Sequence, residues 1–464
     1  MSLRFGTDGV RGVANTQLTA ELTLALGRAA ARVLAVPPGK DPSAPSRPML
    51  FVGRDTRRSG ALLAAALTAG LTAEGIDVVD LGVLPTPGVA YASARAGVPA
   101  AMISASHNPF EDNGIKFFSA GGRKLDDDIE ARIEAELDRL LGLTADAAAS
   151  DHVVPAGALV GEVRPSGTEQ AAYEDALVAA LDGRRLDGLR IVLDCANGAA
   201  ADVAPAVFRR LGASVVVLHA SPDGVNINHR CGSTHPESLQ AAVVAEAADM
   251  GFAFDGDADR MLAVDHTGAL VDGDQLIAML ALDMRDRGRL AHDTVVVTVM
   301  TNLGFKIAMR SVGINVVETR VGDRYVLEAI EEGGHSLGGE QSGHLIFRDH
   351  ATTGDGTLSG VLVADLVRRS GRPLEAHGAV MSRLPQILRN VRGVDRSRLD
   401  RAEALWAAVA AEEAMLGETG RVLLRPSGTE ALVRVMVEAP TQALADSVCA
   451  RLCLAVEREL ALPG

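Results

Sequence analysis

Lysine is almost missing from this 464-residue chain: Lys40, Lys116, Lys124 and Lys306 are all there is, and every other basic residue is arginine. Aromatic residues make up 3% of the sequence, and cysteine occurs four times, at Cys195, Cys231, Cys449 and Cys453. The cysteines show no paired zinc-ligand spacing, so neither a zinc module nor a disulfide framework is expected. Cys449 and Cys453, four apart in a helical pattern, read as packed free thiols. No apolar run reaches membrane-spanning length, and the N-terminus carries Arg4, Asp8 and Arg11 without a hydrophobic stretch. Membrane insertion and secretion are therefore not expected, and a cytoplasmic location is. Positive charge is short as well. The formal net charge of −15 opposes nucleic acid as a partner, although local arginines can still hold a small anion.

What is present is ample material for packed cores, with 47% hydrophobic residues. The length exceeds one core, since domains run to roughly 100–200 residues, and points to about three. Short apolar runs bounded by Gly, Asp or Asn alternate with Ala/Leu-rich stretches of helical period, the pattern of an α/β protein with mainly parallel strands. A first block has a helix over 19–36, a proline-rich linker, and strands at 49–52, 78–81 and 101–103. A second has strands at 190–193, 215–219 and 251–254, and a third at 294–299 and 314–318. The tail differs: a helix over 402–415, a strand over 432–438 and an amphipathic stretch over 442–460 make an α+β block. Boundaries near Gly161, Val271 and Arg383 divide the chain into 1–161, 162–270, 271–382 and 383–464.

ISASHNPFEDNGIKFF (103–118) places Ser106 just past an apolar strand, in a loop punctuated by Asn108-Pro109 and Asn113-Gly114. Ligands of α/β folds gather at the carboxyl ends of parallel strands. A seryl phosphate there is a ready phosphoryl donor, which neighbouring His107 and Lys116 can steady or serve with protons. The same letters also suit an Asx-type turn, and local chemistry leaves both open. FDGDADR (254–260) sets Asp255, Asp257 and Asp259 at alternate positions after another apolar run. Carboxylates so close repel one another unless a cation compensates, and a hard divalent ion such as Mg2+ suits them. An EF-hand is excluded: no Glu stands at the twelfth position from Asp255, Asp265 comes too early, and strands replace the flanking helices. Arg260, next in line, can meet a phosphate or restrain one Asp.

GGEQSGH (338–344) offers Glu340, Ser342 and His344 between glycines that admit a ligand to the backbone, which suits sugar hydroxyls or a plain Gly-rich turn. FGTDGVRG (5–12) reads as a glycine-punctuated loop ending in Arg11. RPSGTE occurs twice, at 164–169 and 425–430. Such a turn makes a phosphate cradle from a guanidinium, hydroxyls and exposed amides. The second copy, with Arg425, Ser427, Gly428 and Thr429, runs into a strand bearing Arg434 and is taken as the phosphate loop. The first runs into a helix, where Ser166 or Thr168 is expected as the N-cap.

In this order, FGTDGVRG, ISASHNPFEDNGIKFF, NINHRCGSTHPE (226–237), DGDADR, TRVGDRYV (319–326), GGEQSGH and RPSGTEALVRVMVE (425–438) closely resemble the α-D-phosphohexomutase superfamily along essentially the whole chain. CGSTHP and VGDRYV resemble its glucosamine-phosphate branch. The resemblance implies four domains around a central cleft, three similar α/β domains with mixed, mainly parallel sheets and a C-terminal α+β domain that binds phosphate. It implies an isomerase, an intramolecular phosphotransferase that interconverts glucosamine 6-phosphate and glucosamine 1-phosphate and feeds UDP-N-acetylglucosamine and cell-wall precursors. Phosphorylated Ser106 and a hexosamine 1,6-bisphosphate would be its intermediates.

Carried over residue by residue, the resemblance has Asp255, Asp257, Asp259 and a Ser106 phosphate oxygen hold one Mg2+. Lys116 would be an acid/base or phosphate-orienting group with His107 nearby, and Arg11 and Arg260 phosphate clamps. Glu340 and Ser342 would grip sugar hydroxyls with His344 close by, and Arg425, Ser427, Gly428, Thr429 and Arg434 would hold the non-reacting phosphate. The implied partner is a small-molecule sugar phosphate, with no nucleic acid and no membrane; a homodimer is compatible with it. Two departures stand out. Gly322-Asp323 replaces the Gly-His of mannose- and glucose-specific relatives, which makes Asp323 the expected neighbour of the glucosamine amine, and Ala431 replaces the usual Pro after SGTE. A phosphomannomutase or phosphoglucomutase of the same superfamily is the alternative nearest in chemistry, followed by a phosphoserine-bearing sensor and a phosphatase built on the Asp cluster.

Overall fold

Apolar runs that are too short for helices and buried on both faces become parallel strands, and three sheets grow around such runs in the computed structural model, which describes residues 4–6, 9–34, 47–143, 153–426 and 432–462. The first sheet comprises β1 (Phe5–Gly6), β2 (Gly9–Val13), β3 (Met49–Arg54), β4 (Asp77–Val83), β5 (Ala100–Ile103), β6 (Asp112–Phe118) and β7 (Val163–Pro165), in the order β1-β2-β6-β5-β3-β4-β7. The second comprises β8 (Arg190–Asp194), β9 (Ser214–Leu218), β10 (Met250–Phe254), β11 (Met261–Asp265) and β12 (Leu270–Val271), ordered β12-β11-β10-β8-β9. The third comprises β13 (Thr294–Thr298), β14 (Asn315–Thr319), β15 (Leu337–Gly339) and β16 (Leu345–Phe347), ordered β14-β13-β15-β16.

One topological feature recurs in all three. A buried parallel strand of each passes through a loop into an antiparallel return strand: β5 into β6, β10 into β11 and β15 into β16. Those three loops carry Ser106, the aspartates of 255–259, and the GGEQSGH segment. Each site segment therefore leaves the carboxyl end of a buried parallel strand, the position that α/β folds reserve for ligands.

The chain divides into two units, Met1–Val299 with Val317–Gly378, and Met300–Val316 with Ala379–Gly464. In the first, helices Ala20–Leu34 and Arg58–Ala73 bury Leu26, Ala30, Leu63 and Leu67 in the core of the first sheet. Phe252 of β10 packs ring to ring with Phe208, their centroids 5.6 Å apart and neither side chain exposed. In the second unit β17 (Gln386–Arg392), β18 (Arg421–Pro426) and β19 (Leu432–Glu438) form an antiparallel sheet ordered β17-β19-β18. The period of two sorts β19 cleanly: Val433, Val435 and Val437 enter a core with helices Glu403–Leu416 and Gln442–Glu459, and Arg434, Met436 and Glu438 point the other way. Glu438, wholly buried, accepts hydrogen bonds from Arg421 Nε at 2.9 Å and the Leu303 N–H at 3.0 Å. No helix among the described residues is long and apolar enough to cross a membrane.

The expected elements appear with ends shifted by one or two residues, as in Ala20–Leu34, Glu403–Leu416 and Gln442–Glu459. Three readings change. FGTDGVRG is not a loop ending in Arg11: β1 and β2 pair as a hairpin, and Arg11 sits mid-strand opposite Gly114, because Val10 is needed in the core while its neighbours are not. Asn113-Gly114 is no part of the serine loop. Both residues lie in β6, drawn into the strand by the buried Ile115, Phe117 and Phe118 that follow. The first RPSGTE enters helix Glu169–Ala179 with Thr168 at the N-cap position, but neither Ser166 nor Thr168 caps it. Glu169 turns back instead and accepts the N–H groups of Gly167 and Thr168 at 3.1 and 3.0 Å, and the Ser166 hydroxyl donates to the same carboxylate rather than accepting from the first turn.

Phe252→Ala removes a buried ring from beneath the aspartate loop. The expected loss is about 3–5 kcal/mol in the unit that holds it, read as a lowered midpoint of its urea or thermal transition.

Candidate active site

Ser106 follows β5 by three residues and has no exposed surface. Its hydroxyl donates to Asp255 Oδ2 at 2.6 Å. Its N–H is taken by Ser104 Oγ at 2.9 Å, and Ser104 in turn donates to Asp55 Oδ2 at 2.7 Å. His107 Nδ1 lies 3.3 Å from Ser106 Oγ and 3.2 Å from Arg260 Nη1. A guanidinium only donates, so this imidazole nitrogen accepts and carries no proton. Burial, with the Arg260 and Arg11 guanidiniums beside it, pushes the His107 pKa below the usual imidazole value, which agrees with a neutral ring. The structure thus gives the serine proton to Asp255 rather than to His107.

β10 is buried at every residue and delivers Asp255, Asp257 and Asp259 into the interior at 0, 0 and 3% exposure. Each offers a carboxylate oxygen within 4.8 Å of the others. Asp257 Oδ2 accepts from Thr86 Oγ1 at 2.7 Å and Lys116 Nζ at 2.9 Å, and Lys116 Nζ is 3.6 Å from Asp259 Oδ2. Asp255 also accepts the Arg260 N–H at 3.2 Å. Burial, then Asp259 and Asp257, hold the Asp255 carboxyl well above the ordinary carboxylate range. Asp259 Oδ1 is buried and receives no hydrogen bond. A hard divalent cation answers each of these features: it lowers the repulsion, takes oxygen donors alone and fills a lone pair that the protein leaves empty. Gly256 is there because nothing larger fits, since a Cβ would lie 2.6 Å from the Ser106 carbonyl oxygen.

The third loop brings His344 to the same place. Its ring is buried, with Nε2 4.0 Å from Asp259 Oδ2 and 3.4 Å from Asp323 Oδ2, and neither ring nitrogen makes a hydrogen bond with the protein. Asp323 opens helix Asp323–Gly333 and pairs with Lys124 Nζ, so two of the four lysines stand at these carboxylates. Glu340 Oε1 accepts the Gly322 N–H at 3.2 Å, and Ser342 Oγ is buried without a hydrogen-bond partner. In the second unit Arg425 and Arg434 face each other across β18 and β19. Burial and then Arg434 lower the Arg425 pKa. Like charges directly opposed on a sheet are unfavourable until an anion joins them. Ser427, Gly428, Thr429 and Ala431 lie outside the described residues, as do Thr7 and Asp8 of the first hairpin and Lys40.

Several residues that hold this site went unread in the sequence: Asp55, Arg57, Thr86, Ser104 and Asn228. Arg57 is 3% exposed, pairs with Asp55 at 2.9 Å, and donates to the carbonyls of Ser106, Asn108, Pro109 and Asp112. The readable signal was GRDTRR (53–58), an Asp and three Arg placed directly after the apolar MLFV.

Four family models match the chain, described as phosphoglucomutase/phosphomannomutase alpha/beta/alpha domain I over residues 2–141, domain II over 171–268, domain III over 272–384, and the C-terminal domain over 388–455. The phosphoglucosamine mutase of Nocardioides sp. is 55% identical over 463 residues, with 100% of both chains covered. That of Streptomyces avermitilis is 55% identical over 462 residues, covering 99% of this chain and all of the relative. A solved phosphoglucomutase/phosphomannomutase family protein from Burkholderia thailandensis matches with a TM-score of 0.78 at 25% identity over 99% of each chain.

Because Asp255 holds its proton more tightly than a free carboxylic acid does, a cation entering the triad must displace that proton. Mg2+ affinity is expected to rise with pH, by up to about tenfold per unit while Asp255 is protonated, with proton release seen by calorimetry in buffers of different ionisation heat. An affinity that does not change with pH across the range in which the protein stays folded would contradict the assignment.

Proposed function

The chain belongs to the phosphoglucomutase/phosphomannomutase family, and from that membership we propose that it interconverts glucosamine 6-phosphate and glucosamine 1-phosphate through a phosphoryl group carried on Ser106. The observation that carries the chemistry is the buried Ser106 hydroxyl, 2.6 Å from Asp255 within three clustered carboxylates. Relatives more than half identical over their whole length bear the phosphoglucosamine mutase name, which supports glucosamine as the sugar. The enzyme is an intramolecular phosphotransferase, an isomerase of amino-sugar metabolism. Its place is the cytoplasm, where its product feeds UDP-N-acetylglucosamine and cell-wall precursors.

In the first half-reaction the bond between phosphorus and Ser106 Oγ breaks as one forms to the sugar C1 oxygen, giving a 1,6-bisphosphate. After the bisphosphate turns over, the 6-phosphoryl group returns to Ser106 and glucosamine 1-phosphate leaves. Asp255, Asp257 and Asp259 would hold a Mg2+ ion, which when bound would neutralise charge on the transferred group. Lys116, paired with Asp257 at 2.9 Å and 3.6 Å from Asp259, serves the transfer as an acid/base or phosphate-orienting group. His344 takes the proton from the attacking sugar hydroxyl. Arg11 and Arg260 clamp the reacting phosphate, with neutral His107 positioned by Arg260. Glu340 and Ser342 hold sugar hydroxyls, and Asp323 lies toward the amine. Arg425, Ser427, Gly428, Thr429 and Arg434 hold the phosphate that is not reacting.

Ser106→Ala is expected to lower isomerisation by at least about 1000-fold, measured with trace bisphosphate activator. Side-by-side turnover of glucosamine, glucose and mannose 6-phosphates is expected to favour glucosamine. A clear preference for glucose or mannose would move the chain to a neighbouring activity of the family, and inorganic phosphate released faster than isomer would make it a phosphatase.

A further inference from the structure

Asn228 lies in NINHRCGSTHPE, a segment to which the catalytic reading gives no task. We propose that Asn228 is a positioning residue for phosphoryl transfer, which together with Arg57 fixes Ser106 in its reactive conformation. This rests on Ser106 being the phosphoryl carrier.

Ser106 has φ 52°, the left-handed region, where a serine persists only if its surroundings hold it there. The holders are two planar donors. Arg57 Nη2 donates to the carbonyl oxygens of Ser106 and Asn108 at 2.9 and 2.8 Å, and Asn228 Nδ2 donates to the same two oxygens at 2.8 and 3.0 Å. An amide nitrogen has two hydrogens, and both are used. Asn228 is itself fixed by its N–H to the Ala196 carbonyl at 2.9 Å and is 8% exposed.

The two donors come from different sheets. Arg57 stands in the loop after β3, and Asn228 in the stretch after β9. Gly256, next to Asp255, closes the contact, since a Cβ there would lie 2.9 Å from Asn228 Nδ2 as well as against the Ser106 carbonyl. The Asn228 amide is therefore the piece of the second sheet's framework that sets where the serine of the first sheet sits relative to Asp255. In-line phosphoryl transfer is sensitive to such placement, and a shift of about 1 Å costs on the order of 100-fold in rate.

Asn228→Ala removes the two donors; Asn228→Asp keeps the shape and aims a carboxylate oxygen at two carbonyls. With Ser106→Ala assayed beside them, kcat is expected to fall about 10–100-fold in Asn228→Ala and further in Asn228→Asp, with KM within about twofold and the thermal midpoint within a few degrees of wild type. A space-filling role would leave the isosteric Asp the milder change. The inference is overturned if Asn228→Asp outperforms Asn228→Ala, if both keep wild-type kcat beside an inactive Ser106→Ala, or if kcat falls only in step with thermal stability. An active Ser106→Ala would remove the reading of Ser106 and this inference with it.

Discussion

Three carboxylates closed off from water in one pocket set the terms for everything around them. At the surface their repulsion would be damped by solvent and salt, but Asp255, Asp257 and Asp259 are almost wholly buried, where charges are screened much less. The fold meets this with Lys116, the Thr86 and Ser106 hydroxyls and the Arg260 backbone N–H, and still leaves Asp255 favouring its proton. The hydrogen bond from Ser106 to Asp255 also fixes a condition on the chemistry. In the proposed cycle, phosphorylation of Ser106 removes that proton and sets phosphate oxygens against carboxylates, so a phosphoserine there would need a cation. On that proposal the acidic loop and the phosphoserine form one device in two parts.

The geometry behind that device is a repeated turn of topology. Each of the three sheets runs from a parallel strand into an antiparallel one, and each connecting loop carries a different set of polar groups: Ser106 after β5, three aspartates after β10, and Glu340, Ser342 and His344 after β15. Placing loops at equivalent positions lets rigid strands aim them, and the inter-loop contacts then fix the distances. Arg57 holds the first loop from within its own sheet, Asn228 holds the same loop from the stretch after β9 of the second sheet, and His344 reaches from the third loop toward Asp259.

The segments around Ser106 and the aspartates were legible in the sequence because each follows directly on an apolar run. The strands before Ser106 and Asp255 announce themselves by hydrophobic content, and alternate aspartates announce a cation. What the letters hid was of another kind. Arg57 and Asn228 act on backbone carbonyls, and a residue that binds backbone leaves no partner type to search for. Asp323 reads as a specificity position, yet its pairing with Lys124 joins residues about two hundred positions apart, which no local pattern carries. The hairpin around Arg11 was misjudged because its glycines suggest a loop, whereas β2 is held as a strand by register with β6. The helix after Pro165 was expected, but its N-terminal arrangement was not: Glu169 folds back to accept the N–H groups of Gly167 and Thr168, and neither Ser166 nor Thr168 caps the first turn.

The most direct measurement of the central claim follows the phosphoryl group itself. Enzyme carrying labelled phosphate on Ser106, confirmed by site mapping, is mixed with unlabelled glucosamine 6-phosphate and Mg2+ and quenched through a single turnover. The account expects label to leave Ser106 for sugar phosphate at least as fast as isomer forms. Label that stays on the serine while isomerisation proceeds would contradict it.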